Sequence, residues 1–283
     1  MSLKMFPRTM VGGVSLSRMI IGSNWILGYS HTTPAADRAI QQRNHHAGRC
    51  AEILETFLAR GVDTLMAPLL GNDFLLEGVK IAEERAGRKI ILIDTPIINV
   101  DDSRDARAEA EAVIRKSAEL GATFCLLHHS SAEQLVCKNT HTLNRLPDYL
   151  DMIRQNGMLP GLSAHMPELV VYSDEQGYDV ETYIQIYNCM GFLMQIEIES
   201  VHRIIHNAKK PVMTIKPMAA GRCSPFVGIT FSFATIRDQD MVTVGCMNPG
   251  EAEEDIEYGL AALERRVPDL EGRASPNKTA IMH

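Results

Sequence analysis

The 283-residue chain predicts an α/β fold, a (β/α)8 TIM barrel with an N-terminal β-hairpin. Three observations predict it. Short apolar runs of strand length alternate with amphipathic stretches of helical period, the pattern of parallel strands joined by crossover helices. Helical stretches stop at Gly61, Gly87, Gly121 and Gly157, and glycine closes a helix in the left-handed conformation at no steric cost. Each apolar run ends on an ionisable residue or a thiol, as expected where strand C-termini gather on one face of a barrel and carry its chemistry. Eight such repeats with short connections imply closure, because the crossovers are right-handed.

Residues 8–17 read as the hairpin, two alternating segments around Gly12-Gly13. The first barrel strand is expected at 18–22. Residues 26–46 lack a clean period and hold Gly28, Pro34, His31, His45 and His46. A stretch this long is expected to be a lid over the mouth or a plain surface insertion. Helices are then expected at 51–60, 73–86, 103–120 and 146–156. The intervening strands end at Asp63, Asp94, His128-His129 and His165. Residues 180–190 read as a helix and 193–199 as the sixth strand, carrying Glu197 and Glu199. The seventh strand ends at Lys216 and the eighth at Cys246. Asn248 is a good N-cap, Pro249 a good first helical residue, and Glu251, Glu253 and Glu254 suit a first turn. A polar tail is expected at 267–283, and 1–283 reads as a single domain.

Composition narrows the function. The net charge of -7 and the lack of a basic stripe argue against nucleic acid as a partner. No apolar run approaches the roughly 20 residues of a membrane span, and none reads as a secretory signal. Six cysteines without C-x-x-C spacing read as reduced thiols. The expected compartment is the cytoplasm. The expected partner is a small-molecule substrate, with a homo-oligomer left open.

Arg8 to Gly22, a hairpin followed by a strand, resembles the opening of the aldo-keto reductases. Arg60-Gly61-Val62-Asp63-Thr64 resembles that family's second-strand motif, and Phe124-Cys125-Leu126-Leu127-His128 its fourth strand. Lys216-Pro217-Met218-Ala219-Ala220-Gly221 is similar to its seventh-strand loop, and 244–254 to its last strand and helix. The resemblance implies a barrel with a plugging hairpin and NADPH or NADH as cofactor. It also implies an Asp, Tyr, Lys and His catalytic set in which tyrosine protonates the carbonyl oxygen. Asp63 matches the Asp and His128 the His. The stretch Ala67-Pro68-Leu69-Leu70-Gly71 contains no tyrosine, and Asp94 stands where the lysine belongs. The loop expected to meet the 2′-phosphate of NADPH carries Asn248, Glu251 and Glu254, so an anion there is expected on the helix N-terminus at Asn248.

The expected mouth gathers Asp63, Asp94, His128, His129, His165, Glu197, Glu199, Lys216 and Cys246. Histidine with carboxylate is the set that binds zinc, manganese or iron. The leading expectation is therefore a metal-assisted lyase, isomerase or hydrolase acting on a small, oxygenated, anionic substrate. His128, His165 and Glu197 would hold the metal, and Asp94 would move protons. Asp63 and Lys216 complete the catalytic candidates, and Arg222 is a candidate anion-binding residue. Lys216 as a Schiff-base lysine ranks lower, because glutamates on the neighbouring strand would raise its pKa. Two alternatives stand beside this: a divergent nicotinamide-dependent oxidoreductase without the usual Tyr and Lys, and a catalytically silent ligand-binding barrel.

Overall fold

The computed structural model describes residues 4–270. The expected tail lies outside the described residues from position 271 on. Two strands, β1 (Arg8–Val11) and β2 (Val14–Ser17), form an antiparallel hairpin turned at Gly12-Gly13. Eight parallel strands then close a barrel. In barrel order they are β3 (Met19–Gly22), β4 (Thr64–Ala67), β5 (Ile91–Asp94), β6 (Phe124–Leu127), β9 (Leu159–Ala164), β10 (Thr182–Ile186), β11 (Val212–Ile215) and β12 (Met241–Val244). β12 pairs with β3, Val242 opposite Met19, which seals the cylinder. A small ribbon, β7 (Val136–Cys137) and β8 (Thr142–Leu143), sits outside it after β6.

The strands are short and apolar on both faces because both faces are covered. Ile20, Met66, Ile93, Phe124, Leu126, Ile184, Met213 and Met241 fill the barrel, and Val11 and Leu16 of the hairpin pack against them. The alternate positions, among them Ile21, Leu65, Leu92, Cys125 and Leu127, face the helices. At Gly161 a side chain has no room: a Cβ would lie 2.7 Å from Leu126 Cγ and 2.7 Å from the Thr182 carbonyl oxygen.

Residues 26–46, expected to lack an element, are mostly helical. They hold the end of α1 (Asn24–Leu27) and all of α2 (Pro34–Asn44), capped by Thr33. α3 (Ala47–Ala59), α4 (Asp73–Ala86), α5 (Arg104–Glu119) and α7 (Leu146–Gln155) stand where helical periodicity places them. A short turn of helix, α6 (His129–Ala132), follows β6 directly. α9 (Ile198–Asn207), α10 (Pro225–Thr235) and α11 (Pro249–Glu264) complete the outer layer. As expected, Asn248 caps α11, accepting from Glu251 N at 3.0 Å.

The sixth barrel strand is not where the sequence reading put it. Residues 182–186 form β10, in register with β9 (Thr182 opposite Gly161) and β11 (Tyr183 opposite Val212). The preceding helix is α8 (Glu168–Gln176). All five residues of β10 are buried, and four of them are β-branched or aromatic types that favour a pleated surface. The Leu193-Met194-Gln195-Ile196 stretch alternates like a strand but is a surface loop, with Leu193 44 % and Ile196 38 % exposed.

Candidate active site at the mouth of the barrel

The C-terminal ends of the barrel strands open into a cavity of about 520 Å³. Met66 and Ile184 form part of its floor, with Ile215 and Thr243. His128 follows β6, His165 follows β9 and Lys216 follows β11, and all three line the cavity. The sequence reading thus found three residues that the fold brings together. Arg222 and His129, also among the candidates, line it as well, and the other candidates do not.

Asp63 precedes β4 instead of ending it. Its carboxylate accepts from Arg8 Nη1 of the hairpin at 2.8 Å, at the opposite end of the barrel. The apolar run follows this aspartate, which places it at a strand's start. Asp94 does end β5, but the two-residue period of the strand decides its direction. Ile93 fills the barrel, so Asp94 turns into the helical layer, where its Oδ1 accepts from Leu69 N at 2.9 Å. It is 1 % exposed, and burial pushes its carboxyl pKa up. Thr95, one residue later, lines the cavity in its place. Glu197 is the exposed residue immediately before α9 and takes no part in the mouth. Cys246 is buried, and its thiol is pushed well up by that burial and by Asp255 and Glu251.

The expected metal centre therefore fails on its geometry. Its carboxylate is on the surface, and no group of three His, Cys, Asp or Glu among the described residues is arranged to hold a metal ion. The histidines pack face to face instead of converging their nitrogens. His129 stacks on His165 with ring centroids 3.6 Å apart and 15° between planes, and His128 tilts against His129 at 4.2 Å. Glu133 holds this stack in place: its Oε1 accepts from the backbone N–H groups of His165 (2.6 Å) and Met166 (2.8 Å). Its Oε2 lies 3.8 Å from His129 Nδ1.

Hydrogen bonds fix which nitrogen of each key imidazole carries its proton. His128 Nδ1 faces the Ser130 N–H at 3.3 Å, which only donates, so Nδ1 accepts and Nε2 carries the hydrogen. His31 is the reverse. Its Nδ1 lies 2.9 Å from the Tyr29 carbonyl oxygen, which only accepts, so Nδ1 carries the hydrogen. His31 Nε2 is then free to accept, and Lys216 Nζ donates to it at 3.1 Å. The sequence places His31 in the 26–46 segment, expected to be a lid over the mouth or a plain surface insertion. The turn between α1 and α2 brings it to the cavity, held by Asp37, whose Oδ1 accepts from Ser30 N (2.8 Å) and Ser30 Oγ (2.5 Å). His31 is exposed like His45 and His46, and no local signal distinguishes it from them.

Burial dominates the charge states. It lowers His128 to about 4 and His165 to about 3, with help from His129, so both rings are neutral at pH 7. His31 is lowered by burial and by the charge on Lys216. Burial alone lowers Lys216 to about 8. The glutamates expected to hold it charged are absent, because the strand supposed to carry them is not there. Its backbone lies at φ +60°, and Ala219 and Ala220 in the same loop are also left-handed, conformations that non-glycine residues keep only where the surroundings over-determine them.

Two charged side chains complete the rim. Arg222 stacks its guanidinium on Phe192, 3.9 Å from the ring centroid. Its Nη1 donates to the Ala219 carbonyl oxygen at 3.2 Å, and no ion pair engages it among the described residues. Glu251 accepts from Met247 N at 2.7 Å, while Asn248 takes the Glu251 N–H. This reciprocal cap occupies the α11 N-terminus, so the anion site expected at Asn248 is already filled by a carboxylate. Trp25, the chain's single tryptophan, packs so closely on Gly245 that a Cβ there would lie 2.9 Å from its ring.

No family model and no curated protein sequence matches the chain. Solved structures do. A Pseudomonas aeruginosa protein described provisionally as an aldo-keto reductase superposes with TM-score 0.65 at 15 % identity, over 93 % of this chain and 98 % of that one. The fold is that of the aldo-keto reductases. A second structure so described from the same organism gives 0.62 at 16 % identity, over 90 % and 95 % of the two chains. The glycerol dehydrogenase of Gluconobacter oxydans gives 0.57 at 14 %, over 95 % and 98 %. Among the described residues no tyrosine lines the mouth, and Lys216, which lines it, follows β11.

Proposed function

We propose that the chain is a nicotinamide-dependent oxidoreductase that interconverts carbonyl and alcohol groups on small anionic substrates, with Lys216 as the proton donor. The observation that carries this is the half-buried Lys216 ammonium, hydrogen-bonded to His31 in a cavity with two neutral imidazoles. The shared fold supports the cofactor class, and one neighbour of that fold is described as a dehydrogenase.

The cavity residues fit one form of the cofactor better than the other. A volume of about 520 Å³ is in the range of cofactor sites. Arg222 can pair with an anionic group at the rim. The Glu251 carboxylate would repel a 2′-phosphate but accepts a ribose hydroxyl, so NADH fits and NADPH does not. A reduced nicotinamide bound here supplies hydride to a carbonyl carbon. His128 donates a hydrogen bond from Nε2 to the carbonyl oxygen and polarises it without adding charge. Lys216 Nζ delivers the proton to that oxygen as negative charge develops. His31 Nε2 accepts from Nζ and orients it.

Trp25 lines the cavity, so its emission reports occupancy. Titration with NADH is expected to quench it at lower concentration than titration with NADPH. Absence of quenching by both, together with no hydride transfer to a panel of aldehydes and 2-keto acids, would remove the reading.

A further inference from the structure

We propose that Lys216 is also an imine-forming residue, whose ε-amine condenses with small aldehydes and 2-keto acids inside the barrel mouth. This goes beyond the oxidoreductase reading and does not need a nicotinamide.

The geometry carries the argument. A carboxylate partner holds a lysine as its ammonium ion, as Glu168 does for Lys138, whose pKa it raises. Lys216 has no carboxylate partner among the described residues. Its hydrogen-bond partner is His31 Nε2, an acceptor without charge. The groups that face it across the cavity are His31, His128, His129, His165, Arg222 and Glu251. Arg222, without an ion-pair partner among the described residues, can attract the carboxylate of a 2-keto acid. The cavity has room for a small carbonyl compound beside Nζ. A desolvated lysine in such a pocket is an activated nucleophile.

The condensation balances without an oxidant or reductant. The amine lone pair attacks the carbonyl carbon, a C–N bond forms, and the C=O π pair moves to oxygen. The attacking nitrogen passes one proton to His31 Nε2, which returns it to the alkoxide oxygen, while His128 Nε2–H hydrogen-bonds that oxygen and keeps its own proton. In the resulting neutral carbinolamine the nitrogen lone pair forms the C=N bond as the C–O bond breaks, and the second nitrogen proton reaches the departing hydroxyl by the same imidazole, so that the oxygen leaves as water. The product is the imine plus one water. The ammonium form of Lys216 does the proton donation proposed above, and the free amine does this reaction. Around pH 8 the two forms are equally populated.

The test is reductive trapping. The full chain, with no nicotinamide added, is incubated with pyruvate or glyceraldehyde and sodium cyanoborohydride, and the labelled lysines are mapped by peptide mass. The Lys216 peptide is expected to carry the reduced adduct at pH 7.5 with at least ~10-fold preference over every other lysine, since its amine fraction is about a hundredfold larger. Its labelling is expected to level off above about pH 8, while surface lysines continue to rise. Lys216→Arg is expected to abolish the selective adduct. Labelling spread evenly over the lysines, or Lys216 labelling that rises in parallel with the surface, overturns the proposal. Should Lys216→Arg fail to fold, the pH plateau in the unsubstituted chain decides alone. A failed nicotinamide titration leaves this result untouched, and a failed trapping leaves that titration untouched.

Discussion

Replacing Lys216 by methionine should make the protein more stable. The pKa of Lys216 falls from 10.5 to about 8 on folding, caused by burial. At ~1.36 kcal/mol per pH unit of pKa, keeping the ammonium inside the fold costs about 3 kcal/mol at pH 7. Methionine has a similar length and no charge, so it removes that cost. It also removes the hydrogen bond to His31, worth roughly 1 kcal/mol. The net expectation is a gain of about 2 kcal/mol, or roughly 4–8 °C in Tm for a domain of this size. The sign changes with pH in a defined way. Between pH 8 and 10.5 the unfolded chain keeps a proton that the folded one has released, so the unsubstituted protein gains stability as pH rises through that window. The advantage of Lys216→Met should therefore shrink from pH 7 to pH 10. Urea denaturation of both chains at pH 7, 8.5 and 10 measures it. A methionine variant less stable at pH 7, or an advantage that grows with pH, would refute the account of Lys216 as a destabilising, functionally retained charge.

Three other outcomes follow from the same geometry. His128 and His165 are held near 4 and 3, so below pH 6.5 the unfolded chain takes up protons that the fold refuses. Stability should fall between pH 6.5 and pH 4, by about 2 kcal/mol for the pair at pH 5 after allowing for the solvent reaching both rings, and a His128→Asn/His165→Asn variant should lose this dependence in denaturation curves. Asp63→Asn should leave turnover within about twofold and cost at most ~1 kcal/mol, since a partly exposed ion pair with Arg8 is all it breaks; a large drop in kcat would return Asp63 to the catalytic set. Gly161→Ala should cost about 1–3 kcal/mol in a denaturation assay, because its Cβ meets Leu126 and the Thr182 carbonyl.

Local patterns carried much of this structure. Strand-length apolar runs, glycine stops and the Asn248-Pro249 cap are readable because each depends on a few adjacent residues, and the barrel, the hairpin and most helices follow from them. The same logic marked His128, His165 and Lys216 as strand-end residues of one mouth. What failed needed information from distant parts of the chain. Residues 193–199 alternate like a strand, but 182–186 are the ones that find partners on both sides, and that displaced Glu197 to the surface. Asp94 and Thr95 differ by one position and point to opposite sides of the strand layer, a choice set by pairing register. His31 reaches the mouth because an Asp37 carboxylate pins its turn. The proton positions on His31 and His128, and the lowered pKa of Lys216, exist only once tertiary packing has removed water and supplied particular donors and acceptors. Charge state is a property of surroundings, and the surroundings of Lys216 are contributed by residues far from it in the chain, His31 among them.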